Sequence, residues 1–235
     1  MIKLSSLVFS LLLVANTLWA NTGEIASKAD HFFKTHVSNG LVNYKAIVDQ
    51  PQNLNALVEM IATVDLSNAN ADEQLAFYLN AYNILVIKSV IDHYPLASPL
   101  DVEGFFKVNK HTIANQDITL DEIESSIIRP TYQDARIHFA LVCGAKGCPP
   151  LTKVAFTSDN VNARLEELTR TALNDDSFIR TEAKLQISEI FKWYRSDFGN
   201  TDAEVIHFLN KYRNTAIDKN AEIAYYSYDW QLNMP

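Results

Sequence analysis

Between Asp72 and Tyr94 the chain reads DEQLAFYLNAYNILVIKSVIDHY, and neither glycine nor proline interrupts it before Pro95. An unbroken segment of this length predicts a helix, and Asp72 and Glu73 suit its positive N-terminal end. Its middle is apolar nearly all round, so this is expected to be a buried central helix over about 72–94. Two amides, Asn80 and Asn83, stand in that apolar middle at i and i+3, on neighbouring positions of one face. A buried amide needs partners, since one left unpaired costs roughly 1–3 kcal/mol. Asn80 and Asn83 either orient a histidine or bind a substrate carbonyl, as the amide does in cysteine–histidine–asparagine sites, or they bind backbone at a loop or strand edge.

The remaining elements predict how that helix is covered. Residues 21–37 give a first helix with Ile25, Ala29, Phe32 and Phe33 on one side. Residues 53–64 place Leu54, Leu57, Val58 and Ile61 at helical spacing. Residues 105–108, 111–113 and 118–119 read as short strands. Thr119 and Glu122 have capping-box spacing for a helix over about 120–128 that stops before Pro130. Residues 136–142 read as a further strand, 160–173 as an amphipathic helix, and 178–180 with 184–187 as a hairpin. Residues 188–194 and 202–212 read as helices and 223–226 as a last strand. No repeat or linker divides this run, so the expectation is one α+β domain over 21–235, with a modest mixed or antiparallel sheet packed against several helices.

The first twenty residues differ from the rest. Lys3 is their only charge, 4–14 is a nearly unbroken apolar run, and Leu18-Trp19-Ala20 precedes a polar segment. This is the pattern of a signal peptide over 1–20, cleaved after Ala20, and it predicts export to the periplasm or beyond. No later segment is expected to span a membrane. The formal charge is −8, or −9 without Lys3, and the basic residues are not clustered, which argues against a nucleic-acid partner.

Both cysteines of the chain fall within residues 136–151, RIHFALVCGAKGCPPL. Cys143 is a candidate nucleophile, because a thiolate attacks carbonyl carbon well. His138 is the candidate base, and Glu124 or Asn80 its orienting partner; Glu124 has Arg129 and Arg136 as alternative partners. Gly144 and Gly147 allow close backbone approach, so the 144–147 turn is a candidate source of oxyanion donors. Asn83, Lys146 and Arg136 are candidate ligand contacts. The residues leave another reading open, in which export favours a Cys143–Cys148 disulfide and the cysteines are structural. Strand geometry also resists a direct dyad. Positions 138 and 143 of a continuous strand face opposite sides and stand roughly 16 Å apart at about 3.3 Å per residue. Lys192, Trp193 and Tyr194, with Asp197 nearby, either line a cleft for a polar ligand or belong to the core. The lone C-x4-C spacing gives no closed zinc site, and no phosphate loop, dinucleotide fingerprint or G-x-S-x-G elbow occurs, so no metal or cofactor is expected.

The segments FYLNAYNILVIKSVI, ITLDEIESSIIR, RIHFALVCGAKGCPPL, ISEIFKWYRSDFG and YDWQLN occur in the order seen in the DUF547 family. The resemblance extends from about Leu41 to Asn233. It implies a domain of uncharacterised function, found in exported bacterial proteins and at the end of coiled-coil-containing plant proteins. In the family pattern the position of Cys143 is widely shared, while that of Cys148 is often serine in plant members. The resemblance thus implies that a disulfide is not the family's common purpose. Two functions remain: a cysteine-dependent hydrolase or acyl-transferase acting on an unknown small molecule, and a non-enzymatic envelope binding or scaffold domain with a Cys143–Cys148 disulfide.

Overall fold

The structure is a computed structural model that describes residues 21–181 and 184–235. The expected signal peptide, residues 1–20, lies outside the described residues. Helix α1 (Thr22–His36) begins where the Asn21 side chain accepts from the Glu24 amide, and it buries Ile25, Ala29, Phe32 and Phe33. A short antiparallel pair, β1 (Val37–Ser38) and β2 (Leu41–Val42), leads into α2 (Tyr44–Asp49) and α3 (Gln52–Thr63).

The central helix is α4 (Ala71–Asp92), started by an Asn70–Glu73 capping box and buried on every side. By length and composition alone it is apolar enough to cross a membrane. In this fold 78% of its most apolar window is buried inside the protein, so it serves as the core helix on which α1, α2 and α3 pack.

Next comes a hairpin, β3 (Lys110–Ile113) with β4 (Gln116–Thr119), turned by Ala114 and Asn115 at positive φ. The expected strand over 105–108 is absent; those residues form turns that follow Gly104, whose carbonyl accepts from the amides of Lys107, Val108 and Asn109. Thr119 and Glu122 make the anticipated capping box at α5 (Leu120–Glu122). The chain then does not stop before Pro130. It widens into a π-helical stretch, Ile123–Ile128, and continues as α6 (Arg129–Tyr132). Proline lacks the N–H of an ordinary helical bond and its ring crowds the preceding turn; the wider winding accommodates both.

Residues 136–142 are not a strand either. Ala135–Phe139 is a 3-10 turn capped by the Asp134 side chain, which accepts from the Arg136 amide. A short apolar run has the same look in a buried strand and a buried turn, and here turn bonds within the run and the Asn83 side chain, rather than a neighbouring strand, satisfy its backbone. The remaining elements are α7 (Val161–Leu173), β5 (Ile179–Arg180), β6 (Gln186–Ser188), α8 (Ile190–Trp193), α9 (Arg195–Phe198), α10 (Asp202–Tyr212) and β7 (Ala224–Tyr226). Strand β6 pairs antiparallel with β5 and parallel with β7, giving the mixed sheet of an α+β fold.

Among the described residues the core has two apolar clusters. One surrounds α4; the other gathers Phe139, Phe178, Phe191, Phe198 and Leu209. Cys148 packs against both, so the cysteine turn lies at the seam between them.

Candidate functional site

At this seam lies a cavity of about 600 Å³ lined by residues of α4, the π stretch, the cysteine turn, α8 and the closing segment. The 3-10 turn delivers His138 to it with only 3% of its surface exposed. Imidazole Nε2 lies 2.8 Å from Asp197 Oδ2 on α9, and Nδ1 lies 3.5 Å from Glu124 Oε1 on the π stretch. Arg129 grips the same Asp197 with a fork, Nε to Oδ2 at 2.7 Å and Nη2 to Oδ1 at 2.9 Å. The Tyr194 ring stacks on the imidazole at 4.0 Å between centroids, and the Arg129 guanidinium lies over the Tyr194 ring. Guanidinium, carboxylate, imidazole and carboxylate thus follow one another in a row beside the cavity.

The protonation of this row follows from its geometry. Burial alone pushes the His138 pKa down, but hydrogen bonds and charge from Asp197 and Glu124 outweigh it, and the value rises above that of an ordinary histidine. Asp197 moves the other way: the bonds from Arg129 and His138 hold its carboxyl well below the usual carboxylate range. Burial raises the hydroxyls of Tyr82, Tyr194 and Tyr228, so all three stay protonated phenols.

Cys143 and Cys148 are joined by a disulfide that forms part of the cavity wall. The Cys143 amide donates to Cys148 Sγ at 3.0 Å. The Tyr228 hydroxyl lies 2.9 Å from Cys148 Sγ and 3.1 Å from Cys143 Sγ. Beside the disulfide the lining is aromatic, with Trp193, Tyr228 and Trp230 in mutual contact and Phe106 against Trp230.

Two amides of the turn expected to serve an oxyanion are engaged elsewhere. Lys146 and Gly147 donate to the carbonyls of Gln231 and Asp229, both at 2.8 Å, and Cys148 donates to Ala145 at 3.2 Å. These bonds fasten the closing segment to the cysteine turn. Gly147 is required by that approach, because a Cβ there would meet the Asp229 nitrogen and the Tyr228 ring at 2.9 Å.

Of the residues singled out from sequence, His138, Glu124, Arg129, Cys143, Cys148, Trp193 and Tyr194 converge on the cavity. Asn80, Asn83, Arg136 and Lys146 do not line it. Asn80 exchanges two hydrogen bonds with the backbone of Phe156. Asn83 donates to the Ala140 carbonyl at 2.9 Å and accepts from the Val142 amide at 2.9 Å, which fixes the chain between His138 and Cys143. Arg136 turns back onto Asp134, and Lys146 is exposed. Sequence reasoning did not pair Asp197 with His138, and it overlooked Tyr82 and Tyr228 as cavity residues. The one local signal for Tyr82 is its phenol between two amides in an apolar helix. Among the described residues, no group of three or more His, Cys, Asp or Glu side chains is arranged to hold a metal ion.

Residues 66–171 match the model of DUF547, a protein family of unknown function. The match contains Tyr82, Glu124, Arg129, His138 and both cysteines, and it ends within α7, before Tyr194, Asp197 and Tyr228. No curated protein and no solved structure matches the chain.

Proposed function

We propose, for a chain that belongs to the DUF547 family by its residues 66–171, that it is an exported domain binding a small molecule beside the Cys143–Cys148 disulfide, without a resting cysteine–histidine dyad. One observation carries this reading. Both nitrogens of the His138 ring face carboxylates, Nε2 to Asp197 at 2.8 Å and Nδ1 to Glu124 at 3.5 Å. Two carboxylates held this way favour the protonated ring, and a protonated ring has no lone pair to take a thiol proton. The Cys143 sulfur is itself bonded to Cys148.

What the cavity retains is the make-up of a binding site. Its volume of about 600 Å³ suits a small organic ligand. The rings of Trp193, Trp230 and Phe106 offer faces to a planar or ring-bearing group. Arg129 and Glu124 at the charged edge would hold a polar or ionisable head. Export is supported by the basic–apolar–small pattern of residues 1–20 and by a disulfide of the kind that persists in oxidising compartments.

The test is native mass spectrometry of protein purified from the compartment in which it accumulates, with a free-thiol count on the same sample. The expected results are a mature N-terminus at Asn21, no free thiol, and a small-molecule adduct lost on denaturation and weakened by Trp230→Ala. A sample with no adduct, whose Cys143 reacts with a broad cysteine-directed probe without prior reduction, would sink this reading in favour of a cysteine-dependent hydrolase.

A further inference from the structure

We infer that the Cys143–Cys148 pair is a thiol-exchange site for a low-molecular-weight thiol entering the cavity, and that Cys148 is the sulfur released as thiolate. The inference rests on the reading of the cavity as a small-molecule site, and it adds a reaction and a substrate class to it.

Both cysteines are half-buried and line the cavity, so a molecule bound in that confined space lies beside their sulfurs. A volume of about 600 Å³ admits a small thiol and excludes the cysteine of a folded protein. The two sulfurs differ in their donors. The Tyr228 hydroxyl stands near both and carries a single proton, which it can turn toward whichever sulfur is charged. The Cys143 amide is different, because its N–H is fixed on Cys148 Sγ at 3.0 Å. Among the described residues Cys148 therefore has two donors and Cys143 at most one. A thiolate that accepts hydrogen bonds is stabilised, and the better stabilised thiolate is the better leaving group.

The donors are held in place. Burial keeps the Tyr228 hydroxyl protonated, and the Tyr228 amide donates to Glu189 Oε2 at 3.1 Å. Backbone bonds from Lys146 and Gly147 to the closing segment do not involve the sulfurs, so the turn keeps its shape when the disulfide opens.

The chemistry balances. An incoming thiolate forms a bond to Cys143 Sγ as the Cys143–Cys148 bond breaks, and that bond's electron pair leaves on Cys148 Sγ. A second thiolate then attacks the small-molecule sulfur of the mixed disulfide. It releases a small-molecule disulfide and leaves Cys143 as a thiolate, which takes a proton from water. Two thiols are oxidised to one disulfide while the protein pair gains two electrons.

The experiment uses the full mature chain with glutathione and free cysteine as probes. Intact mass follows reduction, and after reduction iodoacetamide alkylation at graded pH is mapped by peptide mass. The expected result is reduction by both probes through a mixed disulfide on Cys143. Cys148 should then be alkylated first at mildly acidic pH, and Tyr228→Phe should slow reduction by about tenfold through loss of a hydrogen bond to the charged sulfur. If both probes reduce the pair but Cys143 is alkylated first, or Tyr228→Phe leaves the rate unchanged, the assignment of Cys148 is overturned while the cavity reading stands. If neither probe reduces the pair in the native chain, yet both do so in denaturant, the exchange function is overturned. The adduct measured by native mass spectrometry then decides the cavity reading separately.

Discussion

Asp197 Oδ2 lies 2.8 Å from His138 Nε2, and this contact ties residues 59 positions apart across the edge of the cavity. The same carboxylate takes the fork of Arg129, so one acid holds both side chains. Asp197→Asn keeps the shape and removes the charge, leaving a buried imidazole and a half-buried guanidinium without the anionic partner they share. Removing one partner of a buried pair costs roughly 3–5 kcal/mol, and the partial exposure of Asp197 brings the expected loss to about 2–4 kcal/mol. Urea unfolding should show a lower midpoint at unchanged slope. A loss under about 0.5 kcal/mol would place this contact with ordinary surface ion pairs.

The same contact sets a pH dependence. The His138 pKa is raised in the folded state, so its stabilisation is fully present below the ordinary histidine value of 6.5 and is lost as pH rises through the folded value. The Asp197 pKa is depressed, so its stabilisation is fully present above the ordinary value of 3.8 and is lost as pH falls through the folded value. Both contributions coexist between these limits, in mildly acidic solution. His36 and His111 are shifted down by burial and act in the opposite sense, so the comparison must be with His138→Gln. Thermal unfolding at steps from acid to alkaline pH should show the advantage of wild type over His138→Gln shrinking above neutrality. A difference constant across that range would show that His138 does not titrate within it.

The helices were legible because their signals are local. The breaker-free run of α4, the stripe of α1 and the Thr119–Glu122 box each lie within a few turns of one another. The turn at His138 was not, because an apolar run such as IHFALV fits a strand as well as a buried turn, and its backbone partner, Asn83, lies on another element. Treating those residues as a strand also set His138 and Cys143 on opposite faces, whereas both line one cavity. The π stretch was hidden for a related reason: Pro130 signals a stop, and only the packing of Glu124 toward His138 shows what the continued helix places there. Half of the candidate site was within reach as residue types. The pairings that give it character, His138 with Asp197 and Tyr228 with the sulfurs, span 59, 80 and 85 residues and leave no local mark.

Asn83 should prove a structural clamp. Its side chain satisfies the Ala140 carbonyl and the Val142 amide, both buried, just ahead of Cys143. Asn83→Ala leaves both groups unpaired, at roughly 1–3 kcal/mol each before any relaxation. The expected loss is about 2–4 kcal/mol in urea unfolding, and Asn80→Ala should behave alike through Phe156. Asn83→Asp retains the acceptor for Val142 but places a second acceptor against the Ala140 carbonyl, so it should rescue little. If Asn83→Ala instead keeps full stability, the clamp role is wrong and a ligand-facing role gains.

Gly147→Ala probes how the closing segment is fastened. The added methyl would stand 2.9 Å from the Asp229 nitrogen and from two atoms of the Tyr228 ring. One neighbour is backbone and the other a ring packed against Trp193 and Trp230, so neither yields by rotating a flexible chain end. Overpacking of this kind costs about 1–3 kcal/mol. The movement that relieves it draws Tyr228 away from Cys148 and stretches the Gly147–Asp229 hydrogen bond, so the effect should reach beyond stability. Tryptophan fluorescence, which reports on Trp193 and Trp230, should shift, and amide exchange over residues 228–233 should speed up while α4 stays protected. A variant that loses stability with unchanged fluorescence and unchanged exchange in that segment would mean that the cysteine turn yields and the closing segment does not.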